Sequence, residues 1–142
     1  MKTSLLATFT TLAVSATLLP GCMSTLKKLN EPKLDYREYA GQPVKSFDLR
    51  NYDGGWSAVS RDQVVVWSGI NEAYLIKVAG YCPDLMFANA IGVTNTAGTV
   101  DKFEKILVGK DRCLIEEIRP IDTKQMKADR KLMRDMRKES ES

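Results

Sequence analysis

Few side chains in this 142-residue chain have the chemistry to act on a substrate, and they are scattered. Glu116 and Glu117 stand side by side in "CLIEEI", and paired carboxylates are what acid–base cleavage of a glycosidic bond requires. Neighbours on a strand point to opposite faces, so these two are expected not to flank one bond. A solvated strand end accounts for them. Asp84, Asp101 and Asp111 fall in expected loops, and their spacing matches no EF-hand or similar cation loop. Turn chemistry explains them with fewer assumptions. Trp56, Trp67, Tyr74 and Tyr81 have the surface to line a ligand groove, although packing in a core or on a sheet face is the commoner use of aromatics. Asp53-Gly54-Gly55 lacks the Gly-Lys-Ser/Thr continuation of a phosphate loop. The chain has no histidine, which excludes Ser-His-Asp and Cys-His nucleophiles and His-ligated zinc. No catalytic residue, metal site or cofactor is expected, and the enzyme classes left open are those that run on carboxylates or thiols.

The three cysteines carry more information. Residues 5–19 form an apolar run diluted by threonines, behind a positive start at Lys2 and ahead of Pro20-Gly21. Such a run is shorter than the roughly 20 apolar residues a permanent span needs, and its threonines fall on all sides, unlike a core helix. It reads as the apolar part of a signal peptide. Leu19-Pro20-Gly21-Cys22 then resembles the lipobox of bacterial lipoproteins. The resemblance implies cleavage before Cys22, a diacylglyceryl thioether on its sulfur and an acyl chain on its freed amine. Met23 stands where an aspartate would resemble the inner-membrane retention signal of such lipoproteins, so the resemblance implies the periplasmic face of the outer membrane as the location. Cys82 and Cys113 remain, an even pair in a compartment that favours disulfides. A bridge across those 31 residues is worth roughly 3 to 4 kcal/mol of loop entropy. A redox or metal pair is the alternative, but there is no C-x-x-C spacing and no further soft ligand.

The elements that must position these residues follow from periodicity. Residues 22–35 read as a polar tether, residues 36–121 as the domain and residues 122–142 as a charged helix or tail. Seven strands are expected: Val44 to Leu49, Trp56 to Ser60, Gln63 to Trp67, Ala73 to Ala79, Ile91 to Asn95, Phe103 to Val108 and Cys113 to Ile118. Asp53-Gly54-Gly55 supplies a reversal between the first two. The stretch from 56 to 79 pairs as a meander, and Gly109 to Arg112 closes a hairpin. In "AYLIKVA", Tyr74, Ile76 and Val78 share one face, with Leu75 and Lys77 on the other. Pro83-Asp84 starts a helical turn that turns Leu85, Ala88 and Met86 inward. The fold class is mainly β: a small antiparallel sheet or partly open barrel of six to seven short strands, with one helical turn and a C-terminal helix or tail.

Asp122 and Gln125 echo a capping box, and Arg137 and Lys138 suit the negative end of the helix. Leu132, Met136, Met133 and Met126 share one arc, broken by Asp129. A solvated surface helix fits this composition, and a helix lying on anionic lipid is the alternative.

The segments "DQVVVWSGINEAYLIKVAGYCPDLMFANAIGV" and "VDKFEKILVGKDRCLIEEIRPID" resemble a family of small exported bacterial proteins of unknown function, over about residues 45–122. The shared features are a Tyr-Leu strand leading to one cysteine and a second cysteine opening a C-x-I-x-x-I strand at Cys113, Ile115 and Ile118. The resemblance supports the disulfide and assigns no activity. Acids and bases alternate through most of the chain, against a nucleic-acid partner. The expected partners are the membrane, through lipid at Cys22, and an envelope protein or glycan. The expected function is a lipid-anchored binding or structural module. A carboxylate enzyme of envelope glycan and a thiol–disulfide protein are the alternatives.

Overall fold

A computed structural model describes residues 34–49 and 55–140. The expectations for residues 1–21, for Cys22 and for the Asp53-Gly54 turn lie outside the described residues. Within them run eight strands: β1 (Ser46–Asp48), β2 (Trp56–Ala58), β3 (Gln63–Gly69), β4 (Glu72–Val78), β5 (Gly92–Val93), β6 (Thr99–Asp101), β7 (Lys105–Val108) and β8 (Asp111–Pro120). Short 3-10 turns occur at Tyr36–Tyr39 and Leu85–Phe87, and one helix, α1, spans Thr123–Ser140. Six strands form a curled antiparallel half-barrel in the order β2-β3-β4-β8-β7-β5, and β1 pairs with β6 in a second small sheet.

The middle of the half-barrel is built from the most β-prone sequence. Val64, Val65 and Val66 are consecutive β-branched residues, stiff at χ1 and suited to extended backbone, and all three are fully buried. Alternation sends Val64 and Val66 to one face and Val65 to the other, so both faces of this strand must be covered. They are covered by different material. Register places Ala58, Val64, Ile76 and Ile118 in one row across four strands, and this face carries the main core with Leu85, Val100, Ile106, Cys82 and Cys113. Phe47 of β1 stacks on Tyr74 of β4 with ring centroids 4.2 Å apart, which ties the small sheet onto that core. On the opposite face, Val65, Ala73 and Leu75 pack under Tyr39, Ile121 and Met126.

Cys82 and Cys113 are joined in a disulfide with Cα atoms 5.9 Å apart. It binds the segment after β4 to the start of β8 and is buried beside Leu85. The meander and the β7–β8 hairpin stand where the sequence places them, and Gly109 supplies a positive φ of 56° at the hairpin turn. The strand expected over Ile91 to Asn95 is only Gly92–Val93, and four further expectations need correction. Strand β6 was not foreseen; it follows a turn in which Ala97 and Gly98 take φ of 52° and 82° and Asn95 Oδ1 accepts the Gly98 N–H at 3.1 Å. The strand expected from Phe103 begins at Lys105, because Phe103 and Glu104 are held in a turn by Asp101. The strand expected from Val44 is three residues long, with Val44 making one isolated bridge to Ile118. Met86 points outward, while Leu85 is fully buried.

Helix α1 starts as expected: Asp122 Oδ1 accepts the Lys124 and Gln125 N–H groups at 3.1 and 3.0 Å. Only its first turns are packed. Met126 is buried, Thr123 Oγ1 donates to the Asn71 carbonyl at 2.6 Å, and the Tyr39 hydroxyl donates to Asp129 at 2.9 Å. Leu132 and Met136, read in the same apolar arc as Met126, are 58% and 52% exposed.

Replacing Cys82 and Cys113 together by alanine is expected to lower unfolding stability by about 2 to 5 kcal/mol. Leu85→Ala, which empties a fully buried site, is expected to cost about the same, and Leu132→Ala less than about 0.5 kcal/mol. Urea midpoints of the three proteins check this ranking.

Candidate functional site

Strand β8 pairs with β4 on one side and β7 on the other. Along β4 the register runs Tyr74↔Pro120, Leu75↔Arg119, Ile76↔Ile118 and Lys77↔Glu117, then skips so that Val78 meets Ile115. Glu116 is the extra residue of a β-bulge. Its consequence is chemical. Cys113, Ile115 and Ile118 all point into the core, and Glu116 and Glu117 both point out and line one groove. The expectation that two adjacent acids must face opposite ways is therefore overturned, because the bulge breaks the alternation between them.

The groove is open, encloses about 550 Å³, and lies between the chain entering β1, the end of β6 and the bulge. Lys45, Lys102, Phe103 and Asp101 line it with the two glutamates. Each of its acids already has a partner. Glu116 pairs with Lys77 at 3.0 Å, Glu117 with Arg119 at 2.6 Å, and Asp101 Oδ1 accepts the Phe103 N–H at 2.7 Å. The hydrogen bond from Arg119 holds the Glu117 carboxyl below the ordinary carboxylate range, and Glu116 raises the Lys77 ammonium above its ordinary value. Phe103 is 77% exposed at the rim, with the Lys102 ammonium 5.7 Å from its ring.

Beside the groove Glu104 acts as a latch. Thr94 and Thr96 both donate their hydroxyls to its carboxylate, Thr96 at 2.7 Å, and the Lys105 N–H donates back to Thr94 Oγ1 at 2.8 Å. These bonds hold the Glu104 carboxyl below its ordinary value, with burial working against them.

The other residues singled out from the sequence do not converge. Trp56 and Tyr74 pack against the main core, Trp67 against the opposite one, and Tyr81 is exposed. Asp84 precedes a 3-10 turn and Asp111 opens β8 after the hairpin turn. Among the described residues no three potential metal ligands cluster. Cys82 and Cys113 are both buried, whereas thiol exchange needs an accessible sulfur. Lys45, Lys102 and Phe103 were missed as groove residues. The bulge itself had a signal in the sequence: apolar residues at 113, 115 and 118 are spaced by two and then by three.

The fold and groove define a disulfide-braced half-barrel domain with a mixed-charge surface cleft. The chain matches the family of unknown function DUF6491 over residues 1–137 and belongs to it, a longer stretch than the resemblance read from the sequence. No curated protein and no solved structure shows a significant match.

The sign of the Glu104 effect is testable. A carboxyl depressed in the folded chain stabilises it fully above the unfolded value of about 4.3, and that contribution is lost as pH falls through the lower folded value. Denaturation midpoints measured from pH 7 down to about 2.5 are expected to fall less steeply for Glu104→Gln than for the parent. Parallel curves would contradict the latch.

Proposed function

We propose that this protein is an envelope lipoprotein whose β domain binds a partner protein at the periplasmic face of the outer membrane. The observation that carries the reading is Leu19-Pro20-Gly21-Cys22 behind the apolar run of residues 5–19. Residues 1–21 are the signal, Cys22 bears the lipid, and several acyl chains together hold effectively for good, since each buried methylene adds about 0.8 kcal/mol. The disulfide supports it: bridging Cys82 to Cys113 suits an oxidising compartment and uses every cysteine but Cys22.

Binding is favoured over catalysis by the state of the groove's acids. A glycosidase needs one carboxyl kept protonated beside an ionised one. Here Arg119 pulls Glu117 the other way, toward its ionised form, and the Glu116 side chain is tied up in an ion pair with Lys77. The groove instead offers an exposed aromatic ring at its rim, the kind of residue that anchors protein interfaces, flanked by Lys45 and Lys102.

Intact-mass analysis of the membrane fraction is expected to show loss of residues 1–21 and a gain matching acyl chains, with neither change in Cys22→Ser. An unmodified full-length chain would contradict the anchor. For the groove, a photoreactive residue at Phe103 is expected to give one discrete protein adduct in intact cells, lost when Lys45 and Lys102 are changed to glutamate. The same adduct from Lys110, outside the groove, would show that the groove does not select it.

A further inference from the structure

Helix α1 carries seven Lys and Arg against three acids, a surplus larger than the +3 of the whole chain. At 3.6 residues per turn all seven bases fall within an arc of about 140° that contains no acid. Lys124, Lys127, Lys131, Arg134 and Lys138 form a line along it, with Arg130 and Arg137 on one shoulder. The acids are elsewhere: Asp129 accepts the Tyr39 hydroxyl, and Asp135 and Glu139 lie past the other edge of the arc. All seven bases are exposed, and beyond Met133 every described residue of the helix is exposed. The stripe spans about 21 Å.

We infer that this basic flank of α1 is a docking surface for a layer of anionic phospholipid headgroups. The stripe contains no apolar or aromatic residue, so it lacks the central anchors of a protein interface and the aromatics that stack on bases. What it offers is positive charge repeated every three or four residues along the helix, complementary to an extended sheet of like anions, with Lys127 also donating to the Ile70 carbonyl at 3.1 Å and to Asn71 Oδ1 at 2.6 Å. Leu132 and Met136 lie on the opposite flank of the helix, so contact is electrostatic at headgroup level, without apolar insertion. The inference does not rest on the lipid at Cys22, and the two are tested separately.

The full chain carrying Cys22→Ser, which cannot be acylated there, is titrated with vesicles of phosphatidylcholine alone or mixed with phosphatidylglycerol. The N-terminal run starts with Lys2 and has a headgroup preference of its own, so the part of the vesicle difference that is lost on substitution within α1 reads the helix. The anionic vesicles are expected to bind more tightly, with the difference largely abolished in 0.5 M salt. Replacing Lys131, Arg134 and Lys138 by glutamine keeps helix propensity and is expected to weaken anionic binding on the order of a hundredfold. Leu132→Ala with Met136→Ala is expected to change nothing. Equal affinity for both vesicles, a preference that survives 0.5 M salt, or displacement from the vesicles by stoichiometric duplex DNA or polyglutamate would overturn the inference.

Discussion

Between Ile115 and Ile118, strand β8 holds one residue more than regular alternation allows, and the rest of the domain is arranged around that surplus. The strand must satisfy two neighbours. Toward β7 it pairs from Asp111 to Leu114, where Cys113 has to face inward to meet Cys82. Toward β4 it pairs through Ile118, which completes the row of Ala58, Val64 and Ile76. A strict period of two would turn one of these sets to solvent. Opposing Glu116 and Glu117 to the single Lys77 keeps both sets inside, and the two carboxylates placed outside are met by Lys77 and Arg119. Bulges also sharpen local twist, in keeping with a sheet that curls into a half-barrel.

The same feature separates a rigid interior from a charged surface. The main core, the disulfide and the Phe47–Tyr74 stack lie on one side of the sheet, and α1 and the first 3-10 turn cover part of the other. What remains uncovered near the bulge is the groove, whose acids are committed to cations or to backbone and whose exposed ring and lysines are not part of either core. That division fits a module that presents a surface, which we propose is held near lipid by its N-terminus and by one flank of its helix.

Local features were legible in the sequence, and contacts between distant segments were not. The alternation of "AYLIKVA", the β7–β8 turn at Gly109 and the cap at Asp122 depend on a few neighbouring residues, and each stands as read. The pairing of β1 with β6 joins two three-residue strands more than 50 positions apart, too short for either to show a period. The groove was hidden for a related reason. The spacing of Cys113, Ile115 and Ile118 carried the bulge, but its meaning depends on Lys77, nearly 40 residues earlier, being the shared partner. The helix was read by its apolar arc, whose outer residues turn out to be solvated, while the segregation of its bases is the stronger pattern.

The most direct measurement of the bulge is the reactivity of single cysteines placed along β8 in oxidised protein that also carries Cys22→Ser. With a soluble thiol reagent, cysteines at Glu116 and at Glu117 are both expected to label rapidly in the folded chain, and a cysteine at Ile118 only on unfolding. Fast labelling at one of the two glutamate positions and protection at the other would mean that β8 alternates regularly, and the account of core and groove given above would fail with it.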